Sequence, residues 1–363
     1  MVCPVKVKNM DNIRIKAGKF AYEIIKDGGF DFDRVTTYVG PAVGPRWLIT
    51  SGFDLTLLKN KMLGKSKPVL LTGSSAGAWR FAAWMQPEPI ESYRKLMDAY
   101  ISIRYTRTDT PTTIQESIRN VVNAYLEDDA IPFALAGNRY RLAITTARAR
   151  NLFAFGGWMQ NMGFGAAFLL NIINRSWMRF FVQQVIFYSG PHPPHFCLQD
   201  HFDGEAIPLN EANFKYAVLA SGAIPLIIAG VKNIYGAPTG TYRDGGLVDY
   251  HLNQKYAAKD EDITLFFHHQ ERIIPGWLDK KLKYRRVPRS VLENVLMIYP
   301  SESFVRKFPG SKIPDREDFK LFVDDPETRI KNWWRVVDLS APLGEQFLEL
   351  VESRKIRYIV EKM

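Results

Sequence analysis

A short apolar run that ends in a cluster of small residues constrains the fold of this chain most strongly. Residues 67–73 read KPVLLTG, which is typical of a buried strand, and residues 76–85 read AGAWRFAAWM, which is typical of a helix. A similar unit precedes them, because residues 34–40 are rich in β-forming residues and residues 45–62 have a helical pattern. This alternation predicts an α/β fold with a mainly parallel central sheet flanked by helices.

The remainder of the chain continues the pattern of an α/β protein. Residues 88–127 read as two helices, and the sequence after Pro326 reads as a helical tail. Further strands are predicted at residues 141–149, 179–188, 262–269 and 294–300. The chain has 363 residues, and we expect a catalytic domain over 31–300, a helical extension over 1–30 and a packed helical region over 301–363.

The charge of the chain suggests an anionic partner. The formal net charge is +10 and the pI is near 9.4, which suits either a membrane surface or nucleic acid. No recognised nucleic-acid-binding motif accompanies this charge, so we do not expect nucleic acid as a partner. An anionic membrane surface is the predicted partner, and a purely solubilising role explains the charge equally well.

The longest weakly polar stretch, residues 153–173, is a poor candidate for a membrane-spanning helix. Gln160, Asn161, Asn171 and four glycines interrupt it, so we expect a buried or lid-like segment. The N-terminal residues carry frequent charges and no apolar core of a secretory signal, and the chain has only two cysteines. We therefore expect a cytoplasmic protein that attaches peripherally to membranes.

Residues 273–289 place an apolar turn beside a run of positive charges. A tryptophan next to a basic run is typical of segments that dock on anionic bilayers. The residues expected to contact the bilayer are Trp277, Lys280, Lys281, Arg285 and Arg286. A solvated charged loop with a packed tryptophan is the alternative interpretation.

Ser75 lies in a G-x-S-x-G pattern at the predicted junction of strand and helix. Gly73 and Gly77 allow the tight turn that exposes a nucleophilic serine hydroxyl, and the N–H of Ala76 is placed to stabilise an oxyanion. The pattern arises by chance too often to identify a nucleophile alone. A plain tight turn, in which the glycines serve only packing, explains it equally well.

A second set of oxyanion donors is expected in the loop after the first predicted strand, at residues 38–47. Its glycines offer exposed backbone N–H groups, whereas its two prolines have none. The donors that remain are Gly40, Ala42, Val43, Gly44 and Arg46. Taken locally, an ordinary proline- and glycine-containing turn is the simpler interpretation.

The general base that Ser75 needs is predicted to be Asp244, which stands before Gly245 and Gly246 in a tight-turn sequence. A buried aspartate with a raised pKa can accept the serine proton directly. An α/β-hydrolase triad is the alternative, and the histidines in the required order are His251, His268 and His269. Because His268 and His269 are adjacent at the end of a predicted strand, we expect one of them to face away from any given site.

Residues 190–204 concentrate potential metal ligands. These residues are His192, His195, Cys197, Asp200 and His201. Their spacing matches none of the strong zinc patterns. We therefore expect no metal there.

Four ordered motifs together resemble those of the patatin-like phospholipases. They are the glycine-containing loop at 38–47, the GSSAG sequence around Ser75, the ASGAIP sequence at 220–225, and DGGLVDY at 244–250. The combination is far more specific than any one motif, and it covers about the first two-thirds of the chain. The loop departs from the family's usual G-G-G-x-R-G, because only Gly44 and Arg46 match it.

The resemblance implies a patatin-like three-layer fold and a Ser-Asp dyad, with Ser75 as nucleophile and Asp244 as base. It also implies hydrolysis of acyl esters in phospholipids or other acylglycerols, without a cofactor and without calcium. Two alternatives stay open: an α/β-hydrolase-type esterase with a histidine triad, and a non-catalytic membrane-binding module on the same fold. The sequence does not identify a protein activator.

Overall fold

A computed structural model describes residues 12–137, 139–154, 157–198 and 201–363 of the chain. These residues build one central sheet of eleven strands. The strands are β1 (Ile13–Ala17), β2 (Val35–Gly40), β3 (Val69–Ser74), β4 (Tyr140–Ala149), β5 (Val182–Tyr188), β6 (Glu205–Pro208), β7 (Val231–Lys232), β8 (Thr241–Asp244), β9 (Ile263–Phe267), β10 (Val295–Pro300) and β11 (Glu361–Lys362). Their order is β11-β1-β10-β9-β2-β3-β4-β5-β6, and β8 joins both β4 and β7.

The centre of the sheet is parallel, which confirms the predicted α/β class. Strands β10, β9, β2, β3 and β4 pair in parallel, whereas β1, β5 and β8 pair with their neighbours β10 and β4 in antiparallel fashion. The central strands read as continuous apolar runs because helices cover both faces of the sheet. The carboxyl ends of β2 and β3 therefore meet at one edge of the sheet, with Gly40 opposite Gly73.

Fourteen α-helices surround this sheet in the described part of the chain. They are α1 (Lys19–Gly28), α2 (Ser51–Lys59), α3 (Ala76–Trp84), α4 (Pro89–Ile101), α5 (Pro111–Tyr125), α6 (Ile131–Ala136), α7 (Gly157–Ile173), α8 (Phe214–Ser221), α9 (Arg289–Leu292), α10 (Glu302–Val305), α11 (Glu317–Leu321), α12 (Pro326–Ser340), α13 (Pro342–Glu352) and α14 (Ile356–Ile359). A 3₁₀ helix, Gly44–Thr50, links β2 to α2.

Both ends of the described chain contribute to the sheet. The predicted N-terminal helical extension is correct only for α1, because Ile13–Ala17 forms strand β1 and pairs with β10. The buried side chains of β1 alternate along it, which is the two-residue period of a strand. Strand β11 pairs with β1 from the other end of the chain, so the region over 301–363 also adds a strand.

A buried polar network ties helix α3 to its neighbours. The Arg80 guanidinium contacts the Asp54 carboxylate at 2.7 Å, and both side chains are fully buried. The hydroxyl of Tyr38 donates to the same carboxylate at 2.5 Å, and Tyr93 donates to it as well. Because these four residues lie on α3, α2, β2 and α4, the network fixes the helix that follows Ser75.

The weakly polar stretch at 153–173 contains helix α7, which packs by one face. Phe164 contacts Phe153 at a ring-centroid distance of 4.2 Å, and Ala167 is also buried. None of the helices in the described ranges combines the length and apolar character needed to cross a bilayer.

Candidate active site

Ser75 occupies a strained turn between strand β3 and helix α3. Its backbone angles are φ 53° and ψ −125°, a region that non-glycine residues rarely adopt. The neighbouring glycines make this turn possible, because a Cβ atom on Gly77 would lie 1.9 Å from the carbonyl oxygen of Gly40. A Cβ atom on Gly73 would lie 2.7 Å from the carbonyl carbon of Gly77. Strand and helix therefore approach too closely for any larger residue.

A hydrogen-bonded serine holds the Ser75 turn from behind. The N–H of Ser75 donates to the Ser221 hydroxyl oxygen at 2.8 Å, and this hydroxyl donates to the Thr145 carbonyl oxygen at 2.7 Å. Ser221 ends helix α8 and is the serine of the ASGAIP sequence. The sequence places Ser221 in a motif, but only the structure shows the contact by which it holds the Ser75 turn.

Asp244 reaches Ser75 through the register of the sheet. Ser74 pairs with Thr145, and Asp244 pairs with the next residue, Thr146, on the same edge of β4, because β5 occupies the opposite edge over this stretch. Ser75 and Asp244 consequently line one narrow pocket of about 20 Å³, although they lie far apart in the sequence. The structure brings together the two residues that the sequence predicted as nucleophile and base.

The environment of the Asp244 carboxyl suits a base. The residue is only 8% exposed, and burial raises the pKa of its carboxyl above the ordinary value. Hydrogen bonds from the Gly246 N–H, at 2.7 Å, and from the Ser75 hydroxyl oppose this rise. Because burial outweighs them, the carboxylate accepts a proton more readily than an exposed aspartate does.

Two glycines after Asp244 serve close packing. A Cβ atom on Gly245 would lie 2.1 Å from the Thr145 carbonyl oxygen, and one on Gly246 would lie 2.9 Å from the Ala42 Cβ. The D-G-G sequence is therefore required where β8 approaches β4 and the loop after β2. This approach also directs the Gly246 N–H to the Asp244 carboxylate.

Two of the predicted oxyanion donors, Gly44 and Ala76, line an apolar cavity that adjoins Ser75. Among the described residues, no acceptor contacts the N–H of Gly44 or of Ala76, and both residues border the cavity. The N–H of Ala42 instead donates to the Tyr250 carbonyl oxygen at 2.7 Å, and that of Val43 to Pro41 at 3.1 Å. Free N–H groups at Gly44 and Ala76 are the arrangement that an oxyanion requires.

The other two predicted donors serve different contacts. Gly40 ends strand β2 and packs against Gly77. The Arg46 side chain lies 3.3 Å from the Asp315 carboxylate. Neither residue lines the apolar cavity that adjoins Ser75 or the narrow pocket that contains Ser75 and Asp244.

A large apolar cavity opens at Ser75. Its volume is about 500 Å³, and it extends from Ser75 and Gly44 between helices α4, α5 and α11. The aliphatic side chains that line it are Ile103, Ile114, Ile118, Ile224, Ile227, Ile228 and Val323. A cavity of this size and lining suits a long apolar group.

The three histidines of the alternative triad form a buried cluster of their own. The ring of His251 lies 4.2 Å from that of His268 and 5.4 Å from that of His269, measured between centroids. The expectation that one of the adjacent pair faces away from a shared site is therefore wrong, because both follow the last residue of β9, where strict alternation ends. Among the described residues, no histidine lines either cavity beside Ser75.

The ligand atoms of this histidine cluster lie within 4.8 Å of one another, which raises the question of a metal. Burial lowers the pKa of all three rings, so they are neutral. The Nδ1 atom of His251 accepts a hydrogen bond from the Ile274 N–H at 3.1 Å. A neutral ring that accepts at Nδ1 carries its proton on Nε2, so His251 has no lone pair left for a metal in this arrangement.

The histidine-rich stretch at 190–204 is dispersed in the structure. His192 and His195 are exposed, and Asp200 lies outside the described residues. His201 is partly buried, with its Nε2 atom 3.3 Å from the Val248 carbonyl oxygen, and desolvation lowers its pKa to about 4.

The basic segment predicted to contact a membrane is largely an internal element. Trp277 and Lys280 line the pocket that contains Ser75 and Asp244. Arg285 lies 3.7 Å from the buried Asp279 carboxylate and donates to the Asn171 carbonyl oxygen at 2.6 Å. Of the five predicted bilayer contacts, Trp277, Lys280 and Arg285 are therefore partly buried against the protein, whereas Lys281 and Arg286 are exposed.

Sequence reasoning missed Arg316, which borders both cavities beside Ser75. It lies at the start of α11, in a part of the chain that no motif covers, and only tertiary packing brings it to the site.

The sequence matches no protein-family model, and no curated protein matches it either.

Proposed function

We propose that this protein is a lipid acyl hydrolase that cleaves carboxylic esters through a Ser75–Asp244 dyad. The observation that carries the proposal is that a strained serine and a buried aspartate share a pocket that adjoins an apolar cavity. The four ordered motifs that resemble patatin-like phospholipases support it independently. An apolar cavity next to a nucleophile fits an acyl chain whose ester carbonyl lies at Ser75.

The chemistry follows from the groups around Ser75. The Asp244 carboxylate takes the hydroxyl proton as the Ser75 oxygen attacks the ester carbonyl carbon. The N–H groups of Gly44 and Ala76 stabilise the oxyanion, and the dipole of helix α3 adds to the second. Collapse of the tetrahedral intermediate expels the alcohol, which takes the proton from Asp244. Water then attacks the acyl-enzyme carbonyl as Asp244 takes a proton from it, and Asp244 passes this proton to the Ser75 oxygen as the carboxylic acid leaves.

A Ser-Asp dyad is favoured over a histidine triad because the cavity beside Ser75 has no histidine in its described lining. No cofactor and no calcium is part of the proposed reaction. The location of the site at an apolar cavity favours an active enzyme over a non-catalytic binding module.

Hydrolysis of a monoacylglycerol by matched variants tests the proposed dyad. We expect Ser75→Ala and Asp244→Asn each to lower kcat by at least about a thousandfold, because each removes a group that acts in the transition state. The single variants His251→Ala, His268→Ala and His269→Ala provide the comparison, with circular dichroism as a check on folding. Retained activity in Ser75→Ala, or a thousandfold loss in a folded histidine variant, would refute the dyad.

We also propose that the enzyme works at an anionic membrane surface through helix α7. The outward side of this helix exposes large apolar residues one or two turns apart, namely Met162, Leu169, Ile172 and Ile173. The segment with the exposed Lys281 and Arg286 lies beside its C-terminal end, because Arg285 and Tyr284 donate to carbonyl oxygens there. An exposed apolar helix face beside positive charges is typical of interfacial binding.

A further inference from the structure

Two positively charged side chains border the Ser75–Asp244 pocket without a carboxylate partner in the described part of the chain. Lys280 lies over the ring of Tyr250, with its Nζ atom 4.5 Å from the ring centroid. The Arg316 guanidinium lies 5.9 Å from the centroid of the Trp277 ring. No carboxylate oxygen comes within ion-pair distance of either cation among the residues described. Both side chains line the pocket that also contains Ser75.

The surroundings of Lys280 disfavour its positive charge. Burial, together with the positive charges of Arg316 and Arg46, lowers the pKa of Lys280 to about 7. Asp244 and Asp315 act in the opposite direction but do not compensate. Asp315 lies close to Arg46, so part of its charge is already neutralised. An incompletely neutralised cationic pocket beside a reactive group is typical of a site that binds an anionic ligand.

We infer that Lys280 and Arg316 form an anion subsite that makes the enzyme selective for lipids with a net negative head group. This inference rests on the proposed function, since it places the acyl chain in the apolar cavity and the ester carbonyl at Ser75. The phosphate diester of the same molecule then lies between the two cations. A zwitterionic head group is disfavoured, because its quaternary ammonium would meet two positive charges, and Lys280 already covers the Tyr250 ring.

Three soluble substrates with the same acyl chain separate this role from general catalysis. They are lysophosphatidylglycerol, lysophosphatidylcholine and monoacylglycerol, presented in neutral detergent micelles so that membrane attachment does not contribute. For the wild type we expect the highest kcat/KM with lysophosphatidylglycerol. In Lys280→Met and in Arg316→Gln, we expect the kcat/KM for lysophosphatidylglycerol, divided by that for monoacylglycerol, to fall by about tenfold, because a charge-assisted contact is lost.

Lys283→Met is the matched control, because Lys283 is an exposed neighbour outside the pocket. It leaves the ratio unchanged. If Lys280 and Arg316 acted only by keeping Asp244 ionised, the kcat/KM for lysophosphatidylglycerol and that for monoacylglycerol would fall equally, and their ratio would stay at its wild-type value. An unchanged ratio in the two pocket variants therefore overturns the inference.

The pH dependence gives a second readout. The phosphate diester keeps one negative charge between pH 6 and about 8.5, whereas Lys280 loses its proton near pH 7. The KM for lysophosphatidylglycerol should therefore rise through this range in the wild type but stay level in Lys280→Met. The same rise in both proteins would contradict a role for Lys280 in binding the anion.

A binding experiment keeps the inference testable if no ester is hydrolysed. Ser75→Ala protein is titrated with lysophosphatidylglycerol or monoacylglycerol, and the fluorescence of the tryptophans, which include Trp277, is followed. The subsite is supported, even if the proposed hydrolysis fails, when Ser75→Ala prefers the anionic lipid and the double variant Ser75→Ala/Lys280→Met does not. Equal binding of both lipids overturns it. Inorganic phosphate as competitor shows whether the subsite binds phosphate alone or needs the attached acyl chain.

Discussion

The backbone strain of Ser75 is part of how the site is built. A non-glycine residue in such a conformation costs on the order of 1–3 kcal/mol, so the surrounding contacts must compensate for it. The hydrogen bond from its N–H to Ser221 and the close packing of Gly40, Gly73 and Gly77 provide that compensation. The strained turn holds the hydroxyl towards Asp244 and the cavity, instead of letting it join the helix.

The raised pKa of Asp244 predicts an acid limb in the pH–rate profile. Because the carboxyl must be ionised to accept the Ser75 proton, kcat/KM for a neutral ester falls as the pH drops through this pKa. We expect the midpoint to lie above the value of about 3.9 for an ordinary aspartate, since burial disfavours the charged form.

Temperature identifies the group responsible for this limb. A carboxyl group ionises with almost no enthalpy, so the midpoint should stay nearly constant when the profile is measured at several temperatures. An imidazole ionises with a large enthalpy, and a midpoint that moves strongly with temperature would indicate a histidine base instead.

The residues of the site differ in how far the sequence could predict them. Ser75, Asp244 and their glycines lie in short local patterns, because a tight turn and a close approach require particular residue types. Arg316 lies in no such pattern, and Lys280 looked like part of an exposed basic run. Their places depend on how distant segments pack, which a single sequence does not encode in any local period.

For helix α7, the sequence does not show which side of the helix is buried and which is exposed. The sequence predicted a buried or lid-like segment over 153–173, and one side of the helix is indeed buried through Phe164, Ala167 and Asn171. Asn171 donates to the buried Asp279 carboxylate at 2.7 Å, which fixes the helix to the segment that contains Lys280. The opposite side exposes its apolar residues, and this asymmetry is visible only once the packing partner is known.

Vesicle flotation tests the membrane surface proposed for α7. We expect the double substitution Leu169→Glu and Ile173→Glu to abolish binding to vesicles that contain phosphatidylglycerol, because two apolar contacts become charged. Substituting both Lys281 and Arg286 by Gln should weaken binding by about 1 kcal/mol per charge, and only for anionic vesicles.

Phe133→Glu is the matched control for this experiment. Phe133 is 57% exposed, as is Met162 on α7, but it lies on the separate helix α6. It should leave flotation unaltered. Equal flotation of the α7 double variant and the wild type would exclude this helix as the bilayer contact.

Short strands were the elements that the sequence predicted least well. Strand β8 has only four residues, Thr241–Asp244, so it is too short to show a clear alternation. The sequence predicts a helical extension where strand β1 lies, because the isoleucines of this segment also fit a loose helical spacing. By contrast, β2, β3, β4 and β10 were predicted nearly to their ends, since each is a buried apolar run bounded by turn residues.

At the scale of the whole molecule, the sheet register creates the site. Strands β3 and β8 pair with successive parts of one edge of β4, whereas β5 pairs with the opposite edge, so the carboxyl ends of β3 and β8 meet beside Thr145 and Thr146. The helices around this edge supply the apolar cavity, and the segment after β9 supplies Lys280. The mainly parallel α/β class could be predicted from the alternation of strands and helices, whereas the strand order could not, because pairing joins distant parts of the chain.

Covalent labelling of Ser75 is the most direct test of the proposed dyad. The wild-type protein is treated with a fluorophosphonate, and the modified residue is located by peptide mass spectrometry. We expect a single stoichiometric adduct on Ser75, none in Ser75→Ala, and labelling slowed at least about a hundredfold in folded Asp244→Asn, because the base no longer activates the hydroxyl. An adduct on another residue, or labelling of Asp244→Asn at the wild-type rate, would contradict a nucleophile activated by Asp244.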